Sequence, residues 1–217
     1  MTTKAMILAS GRGERMKSLT RDTPKPMLKI GGITLIEDKI LRLVESGIKD
    51  ILINVGYLGD QIISHVGDGS KYGISITISN EGDAPIGTGN GIRKIIDYFD
   101  EKPFIVVNAD IWTNYLFIDL SEKLSDDALA HIILVNNPSH HDGDFSLYEQ
   151  DVIAGNDFTF SGIGIYKPKL FGLHNDKELG EILKKEKKIT GELYRGLWND
   201  VGTPERLDQI RKNLANN

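Results

Sequence analysis

The chain has 217 residues, a formal net charge of −5 and no cysteine. Its length allows one sizeable α/β core or one core with a small lobe, and the lack of cysteine excludes disulfides and thiolate chemistry. An acidic chain without a long basic stripe is a poor partner for a nucleic-acid polymer, and no apolar run is long enough to span a bilayer. We therefore expect one cytoplasmic domain over residues 1–217, with no membrane association.

The first informative element is an apolar run, Ala5 to Ala9, which predicts a buried strand. The Ser-Gly-Arg-Gly turn at residues 10–13 follows at once, and its glycines let the backbone bend tightly and keep its amides open to a ligand. Amides aimed inward by such a loop bind anions. Arg15 and Lys25 then add fixed positive charge. The pattern predicts a polyphosphate site.

Two common phosphate motifs do not fit this loop. A dinucleotide fingerprint counted from Gly11 would require glycine where Met16 stands, and no Walker pattern occurs. A dehydrogenase is therefore disfavoured. Judged on the spacing of its glycines alone, this segment could also be a glycine-rich turn that binds nothing. The presence of Arg15 and Lys25 argues against that interpretation.

Strand and helix patterns then alternate through the first half of the chain. In order they are a helix from Leu35 to Val44 ended by Gly47, a strand Ile51–Val55, a helix Asp60–Val66, a strand Ile74–Ser79, a helix Ile92–Phe99 and a strand Phe104–Val107. This alternation predicts an α/β, Rossmann-like fold with a mainly parallel central sheet flanked by helices. Ligands of such sheets bind beyond the carboxyl ends of the strands.

The second half of the chain is less regular. Two strands, Ala130–Val135 and Phe158–Tyr166, are separated by a polar, turn-rich stretch at 136–144, and Leu179–Leu183 is a candidate helix. Thr203-Pro204 predicts the start of a last helix, with threonine as the N-cap and proline in the first turn.

Two aspartates are candidate metal ligands. Asp110 lies three residues after the strand that ends at Val107, and Asp200 lies in the segment from Trp198 to Thr203. Magnesium takes one or two protein carboxylates and completes its octahedron with phosphate oxygens and water. Each aspartate could equally be a turn or cap residue, because only the fold can bring them together.

Two further patterns leave alternatives open. The loop Gly87-Thr88-Gly89-Asn90-Gly91 before a helix could be a second backbone nest or a flexible hinge. His140-His141 suggests zinc, but zinc needs three or four ligands and the other histidines are scattered. A solvated loop near the site is the favoured interpretation of that pair.

Together these motifs resemble those of the sugar-1-phosphate nucleotidyltransferases. The family pattern G-x-G-x-R-M…P-K-P is matched by residues 11–16 and 24–26, its G-D after a strand by Ala109-Asp110, and its W-x-D-V-G-T by residues 198–203. The resemblance covers essentially the whole chain. It implies the nucleotidyltransferase (GT-A-like) variant of the α/β fold, without the β-helix domain of the bifunctional relatives.

The resemblance also implies a role for individual residues. The expected partners are a nucleoside triphosphate, with UTP the leading one, and a sugar 1-phosphate, and the expected cofactor is Mg²⁺. The implied site residues are, for catalysis, Arg15 and Lys25; for the nucleotide, Ala9, Ser10, Gly11, Arg12, Gly13, Glu81, Gly87 and Thr88; for the sugar, Asn108, Gly91, Ser161 and Gly162; and for the metal, Asp110 and Asp200.

Three departures from the family pattern are visible. Close relatives have E-T-G-G-G where this chain has Gly87 before Thr88 and Asn90 as the middle residue, and Ala109 replaces a glycine. The first two fall where sugar selection is expected. The alternatives are therefore a glucose-1-phosphate or mannose-1-phosphate nucleotidyltransferase using TTP, GTP or UTP, or a nucleotide-binding relative without turnover.

Overall fold

The computed structural model describes residues 3–215, which divide into two compact units. The first unit comprises Met1–Pro85, Asn108–Asn114 and Leu197–Asn217, and the second comprises Ile86–Val107 and Tyr115–Gly196. The two residues at each end of the chain lie outside the described part. A single domain over 1–217 stays a prediction.

The described residues form thirteen strands and six α-helices. The strands are β1 (Lys4–Ala9), β2 (Lys29–Ile30), β3 (Ile33–Thr34), β4 (Asp50–Val55), β5 (Ser75–Asn80), β6 (Phe104–Asn108), β7 (Ile111–Thr113), β8 (Ala130–Asn136), β9 (Phe145–Tyr148), β10 (Asp151–Ala154), β11 (Phe158–Tyr166), β12 (Ile189–Leu193) and β13 (Trp198–Asp200). The helices are α1 (Leu35–Glu45), α2 (Gly59–Val66), α3 (Thr88–Lys94), α4 (Lys169–Leu173), α5 (Leu179–Lys185) and α6 (Pro204–Ala215). None of the helices within residues 3–215 combines the length and apolar character needed to cross a membrane.

Three parallel strands organise the first unit. β1 and β5 each pair with β4, with Ile53 opposite both Ile7 and Ile78. The apolar residues of β1 and β4 are buried, as expected for parallel strands covered by helices. The carboxyl ends of all three strands therefore lie at one edge, and the loops that follow them are neighbours.

A second apolar cluster of the first unit holds the loops in place. Its members come from the segment after the glycine loop, from β2 and the residue before it, from the start of α1, from the residue after β13 and from α6: Met16, Leu28, Ile30, Leu35, Val201, Leu207 and Ile210. Met16 and Val201 are fully buried there, and they are the sequence neighbours of Arg15 and Asp200. Tight packing of these neighbours fixes the backbone that carries both predicted site residues.

The second unit contains both parallel and antiparallel pairs. β11 pairs antiparallel with β6 and β8, β12 pairs parallel with β8, and β10 pairs antiparallel with β12 and β9. The register of β11 against β8 shifts between Phe160 and Gly164. A bulge of this kind bends a strand and re-aims its side chains, and here it contains Ser161 and Gly162.

The predicted α/β fold class is confirmed, and so are most predicted elements. β11 has the predicted bounds, and Thr203 accepts a hydrogen bond from Arg206 N at 3.4 Å, as an N-cap residue should. The prediction for α3 was wrong in extent: this helix begins at Thr88 rather than Ile92 and ends at Lys94, followed by a separate 3-10 turn at Ile96–Phe99. The short strands were not predicted, because they lack a long apolar or alternating run; they are β2, β3, β7, β9, β10, β12 and β13.

Candidate active site

Asn54 links the loops at the carboxyl edge of the first unit. Its side-chain oxygen accepts from Ala9 N at 2.7 Å, and its side-chain nitrogen donates to Ser10 Oγ at 3.2 Å and to Glu81 Oε1 at 2.8 Å. Three residues predicted to contact the nucleotide are therefore joined by one buried amide. Asn54 itself was missed by sequence reasoning, although a polar residue inside the apolar run of β4 is a visible signal.

Asn54→Ala is expected to destabilise the protein by about 1–3 kcal/mol, because Ala9 N–H would lose its acceptor in a buried place. Urea unfolding followed by circular dichroism measures the loss. Gln61→Ala is the matched control, since the Gln61 amide also donates one hydrogen bond, to Asp22 O, but at the surface. A loss no larger than that of the control would contradict the structural role of Asn54.

The strand-end loops of the first unit approach one another closely. A Cβ atom on Gly56 would lie 2.7 Å from Ser10 O and 3.1 Å from Gly82 O, so only glycine fits between the two backbones. Arg12 lies over the ring of Tyr57, 5.4 Å from its centroid. By contrast, a Cβ on Gly11 would have no described atom within 4 Å. The open space around Gly11 is suited to a ligand.

Gly13 has a different role from Gly11. Its φ of +67° lies in the left-handed region, and a Cβ there would come within 3.0 Å of Lys25 Cβ. Its carbonyl accepts from Thr20 Oγ1 at 2.9 Å and from Met16 N at 2.8 Å. The glycine loop therefore packs directly on the stem of the predicted catalytic lysine.

Lys25 and Asp110, far apart in sequence, form a direct ion pair in the first unit. Lys25 Nζ donates to Asp110 Oδ2, and the two side chains are only 10% and 29% exposed. Partial burial strengthens such a pair relative to one at the surface. The arrangement brings a cation and a candidate metal ligand to the same point beside the glycine loop.

Asp200, the second candidate metal ligand, is the last residue of β13. β13 pairs antiparallel with β7, Asp200 is opposite Ile111, and Val201 N donates to Asp110 O at 2.8 Å. Arg206 Nη1 donates to Asp200 Oδ1 at 2.6 Å, and a Cβ on Gly202 would overlap the Arg206 guanidinium. Gly202 thus leaves the space in which Arg206 orients the Asp200 carboxylate.

This donor set fits a divalent cation that arrives with a nucleotide. Asp110, in the turn before β7, and Asp200, on β13, could each offer a carboxylate oxygen, and among residues 3–215 no group of three or more acidic or histidine side chains could hold a metal alone. Mg²⁺ needs only one or two carboxylates when phosphate oxygens and water fill its other positions. The site therefore matches a metal shared with substrate, rather than a permanent protein cage.

Arg15 is exposed, and its guanidinium has no hydrogen-bond or ion-pair partner among the described residues of its unit. Its backbone is nevertheless held, because Met16 beside it is fully buried. An arginine whose backbone is fixed and whose guanidinium has no protein partner is suited to binding a polyanion, since the guanidinium can donate two parallel hydrogen bonds.

A buried lysine lies in α1, on the face that packs inward. Lys39 is fully buried and donates to Asp38, whose carboxylate also accepts from Arg42 Nε at 3.1 Å. Burial lowers the pKa of Lys39 from its ordinary value, and the Asp38 charge opposes that shift. Sequence reasoning missed this charged pair, which interrupts the apolar face formed by Ile36, Ile40 and Leu43.

In the second unit, the predicted nest at the start of α3 already has protein partners. Lys177 O accepts from Gly89 N at 2.7 Å and from Asn90 N at 3.2 Å. Asn90 also bonds the Arg93 side chain at 2.6 Å, and Arg93 reaches the carbonyls of His174 and Asp176. The departure at Asn90 thus belongs to a network that fastens α3 to residues 174–178.

The remaining candidates for the sugar lie in different surroundings. Asn108 is half-buried at the end of β6, and Gly91 is buried inside α3. Ser161 is fully buried in the bulge of β11, where its Oγ accepts from Ile163 N at 3.2 Å, and Gly162 has a φ of +79°. Their contact with a sugar stays a prediction.

Similarity to known proteins extends over nearly the whole chain. The N-acetylmuramate alpha-1-phosphate uridylyltransferase of Neisseria meningitidis serogroup B is 41% identical over 226 residues, which cover 96% of this chain and 96% of that protein. The enzyme of the same name from Caulobacter vibrioides is 28% identical, with 97% and 96% covered. The mannose-1-phosphate guanyltransferase of Candida albicans is 30% identical over 93% of this chain and 62% of its own length.

Solved structures share the fold. HddC from Yersinia pseudotuberculosis superimposes with a TM-score of 0.81 at 23% identity, covering 98% of this chain and 99% of that one. The inositol-1-phosphate CTP transferase from T. maritima gives 0.78 at 16% identity, covering 99% and 95%. Residues 4–156 match the Nucleotidyl transferase family. On this match and on the identity to its relatives, the chain belongs to the nucleotidyl transferase family.

Proposed function

We propose that this chain transfers a uridylyl group from UTP to N-acetylmuramate 1-phosphate, which gives a UDP-sugar and pyrophosphate. The observation that carries the proposal is the 41% identity, over 96% of both chains, to an N-acetylmuramate alpha-1-phosphate uridylyltransferase. The product would return a cell-wall sugar to the nucleotide-sugar pool. The proposed location of the reaction is the cytoplasm.

The proposed reaction needs charge neutralisation more than proton transfer. An oxygen of the sugar phosphate attacks the α-phosphorus of UTP and forms the new P–O bond, while the bond to the departing pyrophosphate breaks. The attacking oxygen is already anionic, so no general base is required. What the protein must supply is the alignment of two mutually repelling phosphates and positive charge where they meet.

The first unit has the groups for that task. Amides of residues 9–13 would cradle the triphosphate, Lys25 would neutralise charge at the reacting phosphate, and Arg15 would bind the departing pyrophosphate. Asp110 and Asp200 would hold Mg²⁺, which when bound supplies further positive charge to the phosphate oxygens. Glu81, fixed by Asn54 at 2.8 Å, lies at the strand end where the base or ribose would reach.

Asp110→Asn is expected to weaken binding of Mn²⁺, used as a spectroscopic substitute for Mg²⁺, by about 10- to 100-fold, since even outer-sphere partners of a metal contribute that much affinity. The amide keeps the size of the side chain but loses its charge. Electron paramagnetic resonance of Mn²⁺ with the protein and a UTP analogue measures the affinity. Asp208→Asn, on the exposed face of α6, is the control. Unchanged Mn²⁺ affinity in the Asp110 variant would contradict its role.

A second candidate is guanylyl transfer to mannose 1-phosphate, favoured by the 30% identity to the mannose-1-phosphate guanyltransferase of Candida albicans. The departures at Gly87 and Asn90 lie where selection of the sugar is expected, so the sugar phosphate that this chain uses can differ from that of its uridylyltransferase relatives. A panel of UTP, GTP, CTP and TTP against N-acetylmuramate, mannose, glucose and N-acetylglucosamine 1-phosphates, scored by pyrophosphate release, decides between them. The proposal predicts the highest kcat/KM for UTP with N-acetylmuramate 1-phosphate.

The same panel tests the possibility of a binding protein without turnover. UTP binding measured by calorimetry, with no pyrophosphate released in any combination, would identify such a protein and overturn the proposed transfer. A highest kcat/KM with GTP and mannose 1-phosphate would overturn the choice of substrates while leaving the reaction class intact.

A further inference from the structure

The starts of α3 and α5 are joined by one carboxylate in the second unit. Glu178 Oε2 accepts from Thr88 Oγ1 at 2.9 Å and from Thr88 N at 3.2 Å, and Leu179 N donates to Thr88 Oγ1 at 2.7 Å. The Thr88 hydroxyl therefore donates a hydrogen bond to Glu178 and accepts one from Leu179 N, both at the start of α5. A negative charge at the start of α3 also matches the positive end of its helix dipole.

We propose that Glu178 is a positioning residue for nucleotide recognition, acting through the nucleoside-binding loop (residues 86–90). This inference rests on the proposed function and on the resemblance, which implies that Gly87 and Thr88 contact the nucleotide. By holding both donors of Thr88, Glu178 fixes the orientation of the Gly87–Thr88 peptide before UTP arrives. Pre-ordering a loop in this way removes the entropy cost of ordering it on binding.

The conformation of Gly87 supports a role in recognition. Its φ is +90°, and a Cβ there would lie 2.6 Å from Lys177 O and 2.8 Å from Glu178 Oε1. The Glu178 carboxylate thus occupies the space that any side chain at position 87 would need. Among the described residues of the second unit, none accepts a hydrogen bond from Gly87 N–H. This half-buried donor is suited to a carbonyl oxygen of a pyrimidine base.

Glu178→Ala is expected to raise KM for UTP about tenfold, the scale of one lost hydrogen bond to a charged group, while kcat stays within about twofold. Glu178→Gln keeps an acceptor oxygen and should restore much of the affinity. The preference for UTP over CTP, as a ratio of kcat/KM values, should fall in the alanine variant, because the loop would read the base less strictly. Glu181→Ala, one turn along α5 and exposed, is the matched control and should leave all these values unchanged.

A double-mutant cycle with Thr88→Val distinguishes positioning from general loosening of the fold. Because Glu178 acts through Thr88, the double variant should have a KM for UTP close to that of the worse single variant. If the increases in KM of the two single variants instead multiply in the double variant, the proposal is contradicted. A lower melting temperature for Glu178→Ala with unchanged KM and UTP/CTP ratio would show a purely structural role and overturn it.

The experiment remains decisive if the proposed transfer fails. Should wild-type protein release no pyrophosphate, the proposed function fails, and calorimetric UTP binding to wild type and Glu178→Ala still tests the positioning role. A tenfold weaker Kd in the variant would support the inference independently of turnover. Equal Kd values would overturn it.

Discussion

Replacing Lys25 with alanine is expected to lower kcat by about 10³-fold or more, as for other cations that act on a transferring phosphoryl group. The side chain is nearly buried, lies against Gly13 and donates to Asp110, so its ammonium group is held in one place beside the glycine loop. Pyrophosphate release from UTP and the sugar phosphate measures the loss. Lys29→Ala, an exposed lysine nearby in sequence, should retain kcat within about twofold, as surface substitutions usually do.

The Lys25 variant must also be shown to fold, because it leaves the Asp110 charge without its partner. Removal of one member of a partly buried ion pair can cost several kcal/mol in stability, at most about 3–5 kcal/mol for a fully buried one. Circular dichroism and gel filtration check this directly. Lys25→Arg keeps the charge but presents a wider, planar group, so its activity should also fall well below wild type. Near-wild-type kcat in a folded Lys25→Ala protein would contradict the assigned role.

Arg15→Ala is expected to lower kcat/KM by a comparable factor of about 10³, since it removes a charge that would stabilise the departing pyrophosphate. Arg15 is exposed and has no partner among the described residues of its unit, so the variant should fold normally. The reverse reaction gives a second readout, because KM for pyrophosphate should rise. Arg21→Ala is the matched control.

The result that would count against Arg15 is equally specific. A variant with reduced forward activity but unchanged KM for pyrophosphate would place the effect elsewhere in the reaction. Arg15→Lys should recover only part of the activity, because a single ammonium cannot reproduce the two parallel hydrogen bonds of a guanidinium.

The sequence predicted the fold class because its apolar strands and amphipathic helices are strongly periodic. β1, β4 and β6 are apolar runs and α1 has a clear buried face, so local pattern and tertiary structure agree. The limits of α3 were missed because its glycines suggested a loop. In the structure Gly89 lies where a Cβ would be 2.8 Å from Asp176 O, so glycine permits close packing of a helix there.

The sequence alone named the candidate residues, but it did not reveal which of them contact one another. Lys25 and Asp110 were both identified, yet their separation by 85 residues hides the ion pair from any local pattern. The same holds for Asn54, which connects Ala9, Ser10 and Glu81, and for Glu178 with Thr88. Such side-chain contacts depend on the register of strands and the arrangement of loops, which short-range sequence signals do not determine.

The most direct test of the central claim is a crystal structure of the protein with Mg²⁺ and a UTP analogue whose α–β bridge resists cleavage. We expect the triphosphate on the amides of residues 9–13, with Arg15 and Lys25 bonded to phosphate oxygens and Mg²⁺ held by Asp110 and Asp200. An empty glycine loop, with Arg15 directed into bulk solvent and the nucleotide bound elsewhere, would contradict the account.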